Sequence, residues 1–162
     1  MAEHTGSSRA FIVSVAALVV ALVAAGLAVW ALMSKPSTEG QVFTGTETDD
    51  PKASICEAFT VIRNGVQINT NLQPPGGPED VTGSMAVAAN ARLALYDGGQ
   101  YLLARLQPDT PPELAEQIRK FANNLMDIGA RSTSGIPNTD PGQAARLKEA
   151  DEANAKITEL CK

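Results

Sequence analysis

Residues 10–33, AFIVSVAALVVALVAAGLAVWALM, run for 24 positions without a charged side chain, and no other feature limits the folds open to this chain so tightly. At 1.5 Å per residue a helix of that length spans about 36 Å, enough to cross a bilayer with some tilt. A cleaved secretory signal is the competing reading, with Gly26-Leu27-Ala28 as a tolerable small-residue site, but the apolar stretch of such signals is normally about 7–15 residues. The length therefore favours an uncleaved anchor. Arg9 on one side faces Lys35 and Lys52 on the other, so charge alone gives little orientation bias. Orientation rests instead on the first apolar segment also serving as the export signal. Residues 1–9 are then a cytoplasmic tail, and everything after residue 33 lies on the extracytoplasmic side of the inner (plasma) membrane.

Cysteine usage agrees with that compartment. Cys56 and Cys161 both follow the anchor and bracket most of the remaining chain, as expected where disulfides form. Two buried free thiols are the alternative. Within the anchor, Ser14, Ala17, Ala21, Ala24, Ala28 and Ala31 fall at spacings of three and four, making one helix face of small residues. Such a face lets a second membrane helix approach closely, which makes an integral membrane protein the expected partner. Alanine-rich composition alone is the competing account of the stripe.

Residues 34–50, SKPSTEGQVFTGTETDD, are polar and lack apolar periodicity, so they read as a flexible linker. From 51 to 162 the chain carries four helix starts: Asp50-Pro51, Gly77-Pro78, the capping-box pattern Thr110-Pro-Pro-Glu113, and Asp140-Pro141. Helical apolar spacing joins Ile55, Phe59, Ile62, Val66 and Asn69, then Leu114, Ile118, Phe121, Leu125 and Ile128, then Leu147, Ala150, Asn154, Ile157 and Cys161. A less regular face, with Met85, Ala88, Ala89, Leu95, Leu102 and Leu106, marks the segment 79–106. The expected fold is all-α: one N-terminal transmembrane helix followed by a small extracytoplasmic antiparallel four-helix bundle. In an up-down-up-down bundle the start of the first helix and the end of the fourth share one end, so a Cys56–Cys161 bridge is expected there.

Residues 94–106, ALYDGGQYLLARL, complicate that reading. Two apolar runs around Asp97-Gly98-Gly99 resemble a hairpin turn, yet the flanking pattern is not period two and SMAVAANARLAL is strongly helix-forming. A helix is expected, with either a kink or a closely approaching neighbour at the glycines. Tyr96, Gly98, Gly99 and Tyr101, together with Asn124, form a candidate protein-docking surface because tyrosine is favoured at interfaces. Buried rings and solvated amides are the plainer account.

Chemistry is sparse. The single histidine, His4, precedes the anchor, which removes imidazole-based nucleophilic catalysis and the usual zinc sites from the exported part. The carboxylates Glu57, Asp80, Asp97, Glu116 and Asp127 form no motif and read as wet helix faces. No catalytic residue, metal site or cofactor is expected. A net charge of −5 argues against nucleic-acid binding.

The run AANARLALYDGGQYLLARLQPDTPPELAEQIRKFANNLMDIGA, the later GIPN and the terminal Cys-Lys after an Ala-rich helix resemble single-pass envelope proteins of mycobacteria and related actinobacteria. More specifically, the chain is similar to the small accessory subunit of mycobacterial Mce-type lipid importers, which also contain permeases, ATPases and a periplasmic tunnel. The resemblance implies a partner and supplies no catalytic residues. It makes a non-enzymatic, membrane-anchored accessory subunit of an envelope transport complex the leading expectation. The alternative is a stand-alone extracytoplasmic module that holds a small apolar ligand in its bundle.

Overall fold

The computed structural model describes residues 43–162 and, within the apolar segment, Val15, Ala17, Val19, Ala21, Val23 and Ala24. Those six positions are helical and exposed. The rest of the expected anchor, including Ser14, Ala28 and Ala31 of the small-residue stripe, lies outside the described residues. Among the described residues no helix is long and apolar enough to cross a membrane.

Four α-helices and no strands make up residues 51–162: α1 (Pro51–Thr70), α2 (Val81–Arg105), α3 (Pro112–Thr133) and α4 (Pro141–Leu160). Two starts follow the sequence signals directly. Asp50 caps α1 by accepting from Ala53 N–H at 2.9 Å, and Asp140 caps α4 by accepting from Gln143 N–H at 3.0 Å, each followed by proline in the first turn. The other two differ. Asp80, not Gly77-Pro78, caps α2, accepting from Gly83 N–H at 2.8 Å, while Gly77 takes a positive φ in the turn before it. The Thr110–Glu113 capping box does not form, because a residue preceding proline avoids helical geometry and Pro111 therefore stays extended ahead of Pro112. Thr110 Oγ1 is left buried without a partner. GIPN turns out to be a helix stop: Gly135 has a positive φ, Ile136 N–H donates to Arg131 O and Gly135 N–H to Ser132 O, which is a Schellman motif.

Consecutive helices pack antiparallel, α2 against both α1 and α3, and α3 against α4. Cross-links between α3 and α4 mark the register, with Lys156–Glu113 at 3.0 Å, Arg146–Asp127 at 3.3 Å and Arg131–Asp140 at 2.8 Å. The Ile55 and Phe59 side chains of α1 are buried with Leu95, Leu102 and Leu103 of α2. From α3 come Leu114, Ile118, Phe121, Leu125 and Ile128, and from α4 Ala150, Ala153 and Ile157. The disulfide joins Cys56 to Cys161 with a Cα–Cα distance of 5.7 Å, tying the start of α1 to the end of α4.

Gly98 and Gly99 are sites of close packing inside an unbroken helix. A Cβ on Gly98 would lie 2.8 Å from Ile62 Cγ2 of α1, and one on Gly99 would lie 2.5 Å from the Ala122 carbonyl oxygen of α3. A Cβ on Gly129 of α3 would likewise lie 3.2 Å from the Arg92 carbonyl oxygen, so α2 and α3 approach without side chains between them at two levels. The helix-propensity cost of about 1 kcal/mol per glycine is offset by the packing that this proximity allows.

Two expectations need correction. Met85 and Ala89, on the less regular apolar face of 79–106, are both exposed, and no residue from Val81 to Ala94 is buried. In α1 nothing after Phe59 is buried either. The reason is that α1 and α4 make no extended contact, so away from the disulfide α1 and the first half of α2 have fewer neighbours. The linker also differs over its last part: Thr44 N–H donates to Ala104 O at 2.9 Å, Arg105 to Thr44 Oγ1 at 2.8 Å, and Thr48 N–H to Gln107 Oε1 at 3.2 Å. These bonds strap residues 44–48 to the end of α2, beside the disulfide end of the bundle.

Candidate functional site

Where α1 and α4 part, a cleft of ≈ 770 Å³ opens, lined by side chains from all four helices. Its depth can be read from the disulfide. Arg63 lies seven residues after Cys56 and Asn154 seven residues before Cys161. Seven residues are two helical turns, about 10.5 Å of rise, and return a side chain to nearly the same face. Arg63 and Asn154 therefore lie on the same faces of α1 and α4 as the cysteines, two turns from them, and both line the cleft.

That level is the end of the cleft nearest the disulfide. Phe59 and Phe121 meet edge to face with centroids 5.5 Å apart, and the Arg63 guanidinium carbon sits 5.8 Å from the Phe59 ring centroid. Arg63 Nε and Asn154 Oδ1 are both buried without a hydrogen-bond partner. Above it the walls are apolar: Val66 on α1, Ala91 and Leu95 on α2, Leu125 and Ile128 on α3, Leu147 and Ala150 on α4. The outer rim is polar, with Gln67, Thr70, Asn71, Arg92, Ser132, Asn138 and the exposed carboxylate of Asp151. Among the described residues neither Arg63 nor Arg92 takes part in an ion pair.

One wall of the mouth is held by a polar cluster. Gln143, fully buried, donates through Nε2 to Ile128 O and Ser132 Oγ at 3.1 Å each, and its Oε1 accepts from Arg131 Nε at 3.2 Å. Arg131 also donates to Asp140 at 2.8 Å. The Asp140 carboxyl is held below its ordinary value of 3.8, chiefly by the Gln143 backbone N–H and then by Arg131, against partial desolvation. This cluster rigidifies the α3–α4 turn, so the cleft opens between α1 and α4 rather than between α3 and α4.

The five residues of the expected docking surface do not share one surface. Gly98, Gly99 and Asn124 are buried, the glycines as helix contacts. Tyr96 and Tyr101 are exposed, but five residues along a helix turns them about 140° apart. Tyr101 lines a shallow groove between α1 and α2 with Val61, Leu93 and Gly98, and the Arg105 guanidinium carbon lies 4.8 Å from its ring centroid. Tyr96 stands apart on the flank toward α3. Among the described residues no group of three His, Cys, Asp or Glu side chains is placed to hold a metal ion. The cleft itself escaped sequence reasoning. Its signal was present in the apolar spacing, where Asn154 and the Arg63 position next to Ile62 interrupt core-facing stripes.

Comparisons with family models, with curated proteins and with solved structures give no match to this chain.

Proposed function

We propose that this protein is a membrane-anchored, non-enzymatic binding module whose exported bundle holds a small, largely apolar ligand in the α1–α4 cleft. The observation that carries the reading is the cleft: its volume lies within the range of about 300–1,000 Å³ usual for ligand sites, and it joins apolar walls to a few convergent polar groups. The anchor part rests on the uncharged span 10–33, whose Val15, Val19 and Val23 are helical and exposed. The full chain, extracted in mild detergent and purified, is expected to release an apolar molecule into organic solvent, detectable by mass spectrometry. Ala91→Phe, which fills the cleft from α2, should abolish it. Equal recovery from the variant, or none from the native chain, overturns the reading.

A second reading, an accessory subunit of an envelope transport complex of the Mce lipid-importer type that the sequence resembles, is favoured by the small-residue stripe and by the exposed apolar groove at Val61, Leu93 and Tyr101. Replacing Ala21 and Ala24 with Leu keeps the anchor insertable but blocks close helix approach. Co-purification of membrane partners should then fall while the amount of folded bundle stays the same. Undiminished co-purification excludes the stripe as the contact.

A further inference from the structure

We infer that the α1–α2 face pairs with the same face of a second copy of this chain, about a two-fold axis that runs along the groove between the two helices. The pairing rests on the membrane-anchored part of the reading above and is independent of what the α1–α4 cleft holds.

Among the described residues α1 has one extended helix neighbour, α2. Away from the core, Val61, Ile68 and Leu72 recur at spacings of seven and four, which aligns them on one side of α1, and all three are exposed. Across a groove of ≈ 380 Å³ stand Leu93 and Tyr101 of α2, also exposed. Val61, Ile68 and Leu93 each keep more than half of their surface in solvent. A single exposed apolar residue is ordinary, but an aligned set along one groove is the usual sign of an interaction surface. Among the described residues lining the groove, Asp97 alone is charged.

Three observations select a second copy as the occupant. The first is register. Gly98 packs on Ile62 and the helices are antiparallel, so Leu93 stands level with Ile68, and Asn90 with Asn69. A two-fold axis along the groove sets α1 of each copy opposite α2 of the other at one level. Leu93 then meets Ile68 of the second copy, and the Asn90 amide meets Asn69, whose own NH2 is already bonded to Gly65 O and whose carbonyl oxygen is left to accept. A bilayer would take the apolar side chains but would strand both amides and Asp97 in hydrocarbon.

The second is charge. The chain carries a net −5, and its described ion pairs all lie on α3, α4 and their ends, so copies meet with least repulsion on the α1–α2 face. The third is where the chain enters. Phe43 and Gly45 lie against Val61 and Tyr101, so the strap fills the disulfide end of this same face. Only residues 34–42 separate it from the apolar span, a reach of at most about 32 Å. Two copies anchored in one membrane are thus held within range at an effective concentration on the order of millimolar, entering at the same end as the axis requires. From Ser54 to Leu72 the face is about 27 Å long and two helices about 20 Å wide. A pair of such faces covers about 1,100 Å², just past the roughly 1,000 Å² expected of a specific interface. Arg63 and Gln67 of α1 turn to the other side, so pairing leaves the α1–α4 cleft open.

The test places p-benzoylphenylalanine in place of Leu93 in the full chain, reconstituted in phosphatidylcholine liposomes, and irradiates it. The expected product is a covalent dimer of twice 16.9 kDa, its cross-link mapping to the peptide that carries Ile68 of the second copy. The same photoprobe at Lys148, exposed on α4, should give at least about ten-fold less dimer, because a two-fold pair uses one patch on each copy. Val61→Asp combined with Ile68→Asp should lower the Leu93 dimer at least about ten-fold, and Asp97→Asn should raise it, since like charges gathered at an interface oppose association. Should the double variant lose helical circular dichroism, the native yield and Asp97→Asn decide. Cross-linking to lipid alone, equal dimer from Leu93 and Lys148, or a fall in dimer with Asp97→Asn overturns the pairing. So does the absence of any dimer, which leaves the groove to a different protein. Flotation of the same samples with the liposomes reports the anchor separately: protein that floats without the Leu93 cross-link fails the pairing alone, and protein that does not float fails the anchored reading and the pairing with it.

Discussion

Adding one methyl group at three different glycines offers a stringent check on how this bundle is packed. At Gly99 a Cβ would fall 2.5 Å from the Ala122 carbonyl oxygen and 2.5 Å from Met126 Cγ. An ordinary carbon–oxygen contact is about 3.3 Å or longer, so α2 and α3 must separate locally by about 0.8 Å. The obstacle is backbone in a helix that is buried along its length, which cannot yield the way a side-chain tip does. Overpacking of this kind costs about 1–3 kcal/mol, against a helix-propensity gain of about 1 kcal/mol. Gly99→Ala should therefore lose up to about 2 kcal/mol, or up to roughly 8 °C in melting temperature for a domain of this size. Gly65 is the internal control: a Cβ there meets nothing within 4 Å, so Gly65→Ala should gain about 0.5–1 kcal/mol. Gly98 falls between, because its obstacle is the Ile62 side chain at 2.8 Å, and its variant should stay within about 1 kcal/mol of the native protein. Denaturant titration of the three full-length variants in micelles, followed by far-ultraviolet circular dichroism, gives the order directly. A Gly99→Ala protein at least as stable as Gly65→Ala would refute the account of α2–α3 contact.

Replacing both Cys56 and Cys161 with Ala should lower stability by up to about 4.7 kcal/mol, the chain-entropy value for a loop of about 100 residues, and thiol labelling of unfolded, unreduced native protein should find no free cysteine. Because α1 and α4 make no extended contact, the same variant should show faster amide exchange in α1 than in α3. The lowered Asp140 pKa sets a pH window: its stabilising contribution is complete above the unfolded value of 3.8 and is lost as pH falls through the lower folded value. Melting temperature should thus fall less steeply below pH 4 in Asp140→Asn than in the native chain, and parallel curves would exclude Asp140 as a contributor.

Much of the helical framework was legible locally. Asp50-Pro51 and Asp140-Pro141 announce their helices because a cap and a proline act on the nearest turn alone, and the stripe from Leu114 to Ile128 is buried along its full length because α3 packs against both α2 and α4. The pairing of Cys56 with Cys161 was legible too, since up-down connectivity brings those two helix ends together irrespective of packing detail. What the sequence could not disclose depends on which neighbours a helix has. Met85 and Ala89 carry the same apolar pattern as core residues, yet they are exposed because burial is a property of the partner surface, and none is present at that level. Gly98 and Gly99 read as an anomaly along the chain and became contacts only when Ile62 and Ala122 arrived from other helices. The cleft is the fullest case: Arg63 and Asn154 are 91 positions apart, unremarkable singly, and line one cleft only because the bridge sets α1 beside α4 and both lie two turns from it. Periodicity determines which face of a helix turns inward, whereas the distance between two inward faces is decided by the tertiary packing of all four.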